Sequence, residues 1–115
     1  MTERDPSNHL PLTPAEFHVL LALSDGPKHG YLIMKEVAER TGGEVELSTG
    51  TLYGIVKRLL ASSWIEEANR EVNVGGRGRR SYRLTPFGRS VAEAEAERLE
   101  RAVSLARDLR LLGPA

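Results

Sequence analysis

"IEEANREVNVGGRGRRSYRLT", residues 65–85, decides how this chain is built. Its flanks, residues 65–74 and 79–84, read as two strands. In the second, Tyr82 and Leu84 point to one side while Ser81 and Arg83 point to the other. Between them stand Gly75, Gly76 and Gly78, which accept the positive φ angles of a hairpin turn at low cost. Arg77, Arg79, Arg80 and Arg83 load the same stretch with charge, and no acidic residue occurs from Gly75 to Arg89. A phosphate loop of an enzyme would lie between a strand and a helix and end in Gly-Lys-Ser/Thr, and this stretch has neither feature. A disordered arginine-glycine tail would be longer and repeated. What remains is a hairpin tip lined by arginines, suited to the negative potential of a narrow minor groove. Its alternative is a solvated charged turn with no partner.

Upstream of the hairpin the hydrophobic period changes from strand to helix. "STGTLYGIVKRLLASSW", residues 48–64, places Leu52, Val56, Leu59 and Leu60 on one apolar stripe, with Ser48 or Thr49 as cap. Gly54 inside this helix costs about 1 kcal/mol relative to alanine, and its missing side chain allows close approach of another backbone. The helix start, Ser48-Thr49-Gly50-Thr51, offers hydroxyls and unpaired N–H groups to an anion, and Tyr53 and Lys57 point the same way four residues apart. The plain alternative is a capped surface helix. Before it, "HGYLIMKEVAERTGG" (29–43) reads as a helix with Tyr31, Met34, Val37 and Ala38 on one face and a Gly42-Gly43 stop. Earlier still, "LTPAEFHVLLALSDGP" (12–27) opens on capping-box spacing, Thr13 to Glu16, with Pro14 at the first turn. Leu12 and Phe17 are spaced as a hydrophobic staple, and Phe17, Leu20, Leu21 and Leu23 form the expected buried face.

Downstream, Thr85 and Pro86 open a last helix that could run to about Leu112. Leu99, Ala102, Ala106 and Leu109 follow each other by 3, 4 and 3 residues, with Val103 beside them, as in a heptad seam. That seam lies beyond the reach of a compact three-helix unit, so a second chain is the expected partner; packing on the chain's own core is the alternative. Residues 1–11 are polar and proline-bearing and read as a flexible N-terminal arm. The order is helix, helix, helix, hairpin, long helix. The fold class is therefore mainly α (α+β), a winged helix-turn-helix with a long C-terminal dimerisation helix. The expected division is an arm (1–11), a DNA-binding domain (12–85), and a dimerisation helix with its tail (86–115). In such an order the third helix enters the major groove by its N-terminus. A two-fold dimer would set two of them on successive major grooves, roughly 34 Å apart.

Composition agrees with one small domain. At 115 residues, 40% of them hydrophobic but only six Phe, Trp or Tyr, aliphatic side chains must fill the core. The absence of cysteine excludes disulfides and thiolate metal sites. With no signal-like N-terminus and no apolar run near the roughly 20 residues of a membrane span, a cytoplasmic protein without membrane contact is expected. Sixteen Lys+Arg balance sixteen Asp+Glu, which argues weakly against nucleic acid, although charge distribution outweighs the total. His9, His18 and His29 show no metal-ligand spacing. No catalytic triad, apolar carboxylate pair or HExxH occurs, so neither an enzyme nor a cofactor is expected. A winged-helix module that binds another protein without specific DNA binding is the alternative function.

The motifs "HGYLI" (29–33), "STGTLYGIVKRL" (48–59) and "GGRGRRSYRLTPFG" (75–88) resemble the PadR-type transcriptional regulators, in particular the small ones with a single C-terminal helix. The likeness runs from about Leu12 to Leu109. It implies a dimeric repressor on an inverted-repeat operator near its own promoter, and the leading expectation is that a small-molecule or other signal releases it. It implies DNA contacts from Ser48, Thr49, Gly50, Thr51, Tyr53 and Lys57 of the recognition helix and from Arg77, Arg79 and Arg80 of the wing. It further implies that the last helix packs on its twin and on the partner's first helix. The chain departs from the family pattern in having Gly54 for a usual proline, Ser63 for a usual glycine and Leu60 for a usual polar residue. Some relatives stack flat aromatic ligands on an aromatic of the last helix. This chain has none after Phe87, so the effector is left unassigned.

Overall fold

The computed structural model describes residues 5–72 and 78–114, and the side chains of these other than 69–72 and 79. The elements run α1 (Pro14–Ala22), β1 (Lys28–His29), α2 (Gly30–Arg40), α3 (Thr49–Ala61), β2 (Ile65–Val72), β3 (Gly78–Leu84) and α4 (Pro86–Asp108). This is a mainly helical winged helix-turn-helix with a three-stranded antiparallel sheet in the order β1-β3-β2. The tip residues 73–77, with Gly75, Gly76 and Arg77 among them, lie outside the described residues.

Local chemistry sets most boundaries. The capping box at α1 is complete: Glu16 N–H donates to Thr13 Oγ1 at 3.1 Å, and Thr13 N–H donates to Glu16 Oε1 at 3.0 Å. Gly42, at φ +61°, stops α2, and Gly43 N–H closes back on the Ala38 carbonyl. At the end of α3, Ser63 takes φ +62° while Trp64 N–H donates to the Leu59 carbonyl at 2.9 Å. The same Schellman closure ends α4, with Arg110 at φ +66° and Leu111 N–H on the Ala106 carbonyl. That left-handed residue stops α4 at Asp108, short of the expected Leu112.

Several expectations change in space. β1 follows the Asp25-Gly26-Pro27 turn, where sequence indicates only a break before a helix. Two residues have no period to read; their pairing with β3, Lys28 opposite Tyr82 and His29 opposite Ser81, is a long-range contact. The buried residues of α2 are Gly30, Ile33 and Val37. Tyr31, expected on the inner face with Met34 and Ala38, is 73% exposed. In α1 the fully covered residues are Val19, Leu20 and Ala22, with Leu23 after them, whereas Phe17 and Leu21 are half-buried. Almost every residue there is apolar and the helix packs on both α2 and α4, so the pattern carries no phase. The expected arm is docked over residues 5–11. Pro6–His9 forms a 3₁₀ turn against α4, capped by Asp5, and the His9 ring sits edge-on to Trp64 and Phe87 at 5.5 and 5.6 Å.

One core joins these elements: Leu20, Leu23, Ile33, Leu52, Leu59, Ile65 and Val91 are all almost fully buried. At its edge the end of α3, the wing base and the start of α4 meet. Thr85 Oγ1 donates to the Ser63 carbonyl at 2.6 Å and accepts from Gly88 N–H at 2.9 Å, and Thr85 N–H donates to the Trp64 carbonyl. A Cβ at Gly88 would stand 1.8 Å from that Trp64 carbonyl oxygen, so only glycine fits.

Candidate nucleic-acid interface

The amphipathic pattern of α3 turns Leu52, Ile55, Val56 and Leu59 into the core. Its first turn and opposite side are left outside, with Ser48, Thr49, Gly50, Thr51, Tyr53, Gly54, Lys57 and Arg58 exposed. Ser48 caps the helix: its Oγ accepts from Thr51 N–H at 3.1 Å and donates to Thr51 Oγ1 at 2.9 Å. The Thr51 hydroxyl proton therefore stays available to an outside acceptor. A Cβ at Gly50 or Gly54 would meet nothing within 4 Å. The two glycines are one turn apart, so this strip of helix is bare backbone that a flat surface can approach closely. Arg58, beside Lys57 in sequence, is tied to Glu16 of α1 at 3.5 Å. Lys57 has no ion-pair partner among the described residues.

The wing is less uniformly basic than its sequence. Within the acid-free run of 75–89, β3 covers Gly78–Leu84, and antiparallel pairing sets β2 beside it, with Glu66 opposite Arg83 and Glu67 opposite Tyr82. Arg83 Nε donates to Glu66 Oε2 at 2.8 Å, and Arg80 Nη1 lies 3.7 Å from Glu67 Oε2. Both pairs are half-exposed, where such bridges contribute little to stability, but they offset charge at the wing base. Toward the tip the register sets Arg70 opposite Arg80 and Arg79 opposite Glu71, beyond an irregularity between Glu67 and Arg70. Arg70 escaped sequence reading because only the register brings it to this end of the wing. Arg77 lies outside the described residues, and of Arg79 only the backbone is described.

In α4 the buried residues are Gly88, Val91, Ala92 and Glu95, with Phe87 packed half-buried against the core. Beyond that, Leu99, Val103 and Leu109 are exposed, as is Ala102, and Ala106 is half-buried. A shallow crevice of about 240 Å³ between α1 and α4, lined by Phe17, His18, Arg98 and Leu99 among others, adjoins this seam. Glu95 is buried at the crevice and bound on every side offered to it. Arg98 grips it through Nε at 2.6 Å and Nη2 at 2.9 Å, and Leu12 N–H donates at 3.2 Å. The Arg98 hydrogen bond outweighs burial and holds the Glu95 carboxyl below its ordinary range. Among the described residues no cluster of His, Asp or Glu is arranged to hold a metal ion, and no helix is long and apolar enough to cross a membrane.

Residues 19–94 match the model of the Transcriptional regulator PadR-like family. Transcriptional regulator Rv3488 of Mycobacterium tuberculosis is 37% identical over 83 residues, covering 72% of this chain and 73% of the relative. An uncharacterized protein in transposon TN4556 of Streptomyces fradiae is 39% identical over 87 residues, 76% of this chain, but the chain spans only 23% of that protein's length. Among solved structures, a PadR family transcription regulator from Clostridium difficile superposes with a TM-score of 0.72 at 24% identity, covering 84% of this chain and 98% of that one. Bacillus subtilis PadR in complex with operator DNA superposes with a TM-score of 0.65 at 20% identity, covering 77% of this chain and 48% of that one. With two thirds of its length matched by the family model and its fold shared with these structures, the chain belongs to the PadR-like family of transcriptional regulators.

Proposed function

We propose that this PadR-family chain is a homodimeric repressor that binds an inverted-repeat operator in double-stranded DNA and is released by a small-molecule or other signal. The outer face of α3 carries the reading: a capped helix start with exposed hydroxyls, followed by bare backbone at Gly50 and Gly54 and by Lys57. In this reading residues 12–85 form the DNA-binding domain and 86–115 the dimerisation element. Thr49, Thr51 and Tyr53 face base edges in the major groove, with Ser48 and Gly50 at the helix start and Lys57 on a phosphate. Arg77, Arg79 and Arg80 of the wing reach the adjacent backbone or minor groove. Leu99, Ala102, Val103, Ala106 and Leu109 pair with a second copy. The operator complex of the Bacillus subtilis neighbour supports a DNA partner for this fold.

The neutral net charge and the Glu66 and Glu67 pairs at the wing base favour a second reading, a module that binds protein and not specific DNA. One titration separates the two. A duplex selected by the protein from a randomised pool is labelled and titrated over a range of salt. Saturable binding is expected, with Arg79→Ala lowering the slope of log affinity against log salt by about one. Thr49→Ala is expected to change which base is preferred. Failure of any duplex to enrich at low salt would overturn the DNA reading in favour of the protein-binding one.

A further inference from the structure

Gly30 is the first residue of α2, and nothing in its own backbone requires glycine, since its φ lies outside the left-handed region. Its surroundings do. A Cβ there would stand 2.5 Å from Tyr53 Oη, 2.9 Å from Tyr53 Cζ and 3.3 Å from Leu52 Cδ2. The Tyr53 phenol thus lies against the bare Cα of Gly30 while 45% of the residue remains exposed on the outer face of α3. Gly30 directly follows β1, whose Lys28 and His29 pair with Tyr82 and Ser81 of β3. Ser81 and Tyr82 are both buried. His29 Nδ1 lies 3.4 Å from the Arg80 carbonyl oxygen. Burial holds the Tyr82 phenol above its ordinary pKa, and the charge of the Tyr53 phenol adds to that shift. A side chain of the recognition helix therefore rests on a residue that is one step from the wing strand.

We propose that Gly30 is a positioning residue for DNA recognition: its missing side chain seats the Tyr53 phenol at the β1–α2 junction and so fixes where that phenol stands between the start of α3 and the wing. The inference rests on the DNA-binding reading and assigns it a device that no contact with DNA reveals. A methyl at Gly30 would stand inside contact distance of the ring end, so the ring must swing outward on the exposed face of α3 while Leu52, Ile55, Val56 and Leu59 hold the helix itself in place. The phenol then leaves the junction and no longer stands in register with Thr49 and Thr51 on one side and the wing on the other. Tyr53 acts in this scheme as a spacer as well as a surface residue.

The test is a double-mutant cycle on the full chain with the selected duplex, pairing Gly30→Ala with Tyr53→Ala. Gly30→Ala is expected to weaken binding about tenfold in the wild-type background and to have no further effect once Tyr53 is alanine, because the two residues act as one unit. An equal loss in both backgrounds overturns the inference while leaving the DNA reading intact. A wild-type chain that binds no duplex overturns the DNA reading and the inference with it. If Gly30→Ala does not fold, thermal unfolding supplies the same cycle: Tyr53→Ala must restore folding, and its failure to do so sinks the proposal. Tyr53→Ala combined with Arg80→Ala gives an independent readout. A spacer makes their losses non-additive, whereas a tyrosine that only touches DNA makes them add.

Discussion

Ser63 and Gly88 sit on either side of the wing base and have opposite relations to their backbone. Ser63 holds φ +62°, a conformation that costs a residue with a Cβ roughly 1–2 kcal/mol. It does so because the Schellman closure of α3 demands a left-handed residue there. This is the position where the family resemblance expects glycine, and the geometry gives the physical reason for that expectation. Ser63→Gly is predicted to raise stability by about 1 kcal/mol, or about 5 °C in Tm, after the added chain entropy of glycine is set against the relieved strain. Gly88 is the converse case. Its Cβ would enter the Trp64 carbonyl at 1.8 Å, and that carbonyl is already fixed by Thr85 N–H. Gly88→Ala is predicted to cost about 3 kcal/mol or more, since backbone must move where a side chain cannot. Chemical denaturation of the two variants checks both signs, and a neutral Gly88→Ala would contradict the packing described for this joint.

Elements were legible where a single local rule decides them. The capping box at Thr13, the glycine stop of α2, the Thr85 cap and the two strands ahead of it all follow from short local patterns. The faces of α1 and α2 were less legible, because Leu21 is as apolar as the residues that are buried and the amphipathic Tyr31 suits either side. β1 was invisible, since Lys28 and His29 become a strand only when β3 arrives from about fifty residues away. The candidate site divides the same way: the outer residues of α3 could be named in advance, but Glu66 and Glu67 offset the wing arginines only through strand register. Glu95 belongs to this second kind. It reads as one of several surface glutamates on α4, yet it is buried and joins α4 to the entry of α1 through Leu12 N–H. Because its carboxyl is held below the ordinary value in the folded chain, it contributes stability above the unfolded value of roughly 4.3 and loses it as pH falls through the folded value. Glu95→Gln is predicted to cost about 1–3 kcal/mol at neutral pH, leaving the bound donors poorly matched. The gap between wild type and variant should shrink as the pH is lowered below 4, and a gap independent of pH would show that the charge at Glu95 is not what joins the elements.

The molecule as a whole measures 57 × 39 × 22 Å with a radius of gyration of 16.0 Å, against about 13 Å for a compact chain of this length. α4, about 35 Å long at 1.5 Å per residue, has its last buried residue at Glu95 and runs on to Asp108. The part beyond Glu95 carries an exposed apolar row among its charged residues. Leu99, Val103, Leu105, Leu109, Leu111 and Leu112 are all exposed along it, and every Å² of apolar surface left in water forgoes about 25 cal/mol. A second copy laid antiparallel or parallel along the seam would cover this face and is the occupant we propose. It would also join two α3 helices into one rigid reader, so that binding one half-site raises the effective concentration at the other into the millimolar range. Replacing both ends of the seam, Leu99→Glu with Leu109→Glu, sets like charges against each other across the proposed interface without touching Leu20, Ile33, Leu52 or Val91 in the core. Light scattering is predicted to give half the wild-type mass, circular dichroism to show the helices retained, and affinity for a two-half-site duplex to fall at least a hundredfold while affinity for a single half-site changes little. An undiminished mass would place the interface on another face of the molecule, and a matching loss on the single half-site would mean that α4 supports the DNA-binding domain itself and does not merely double it.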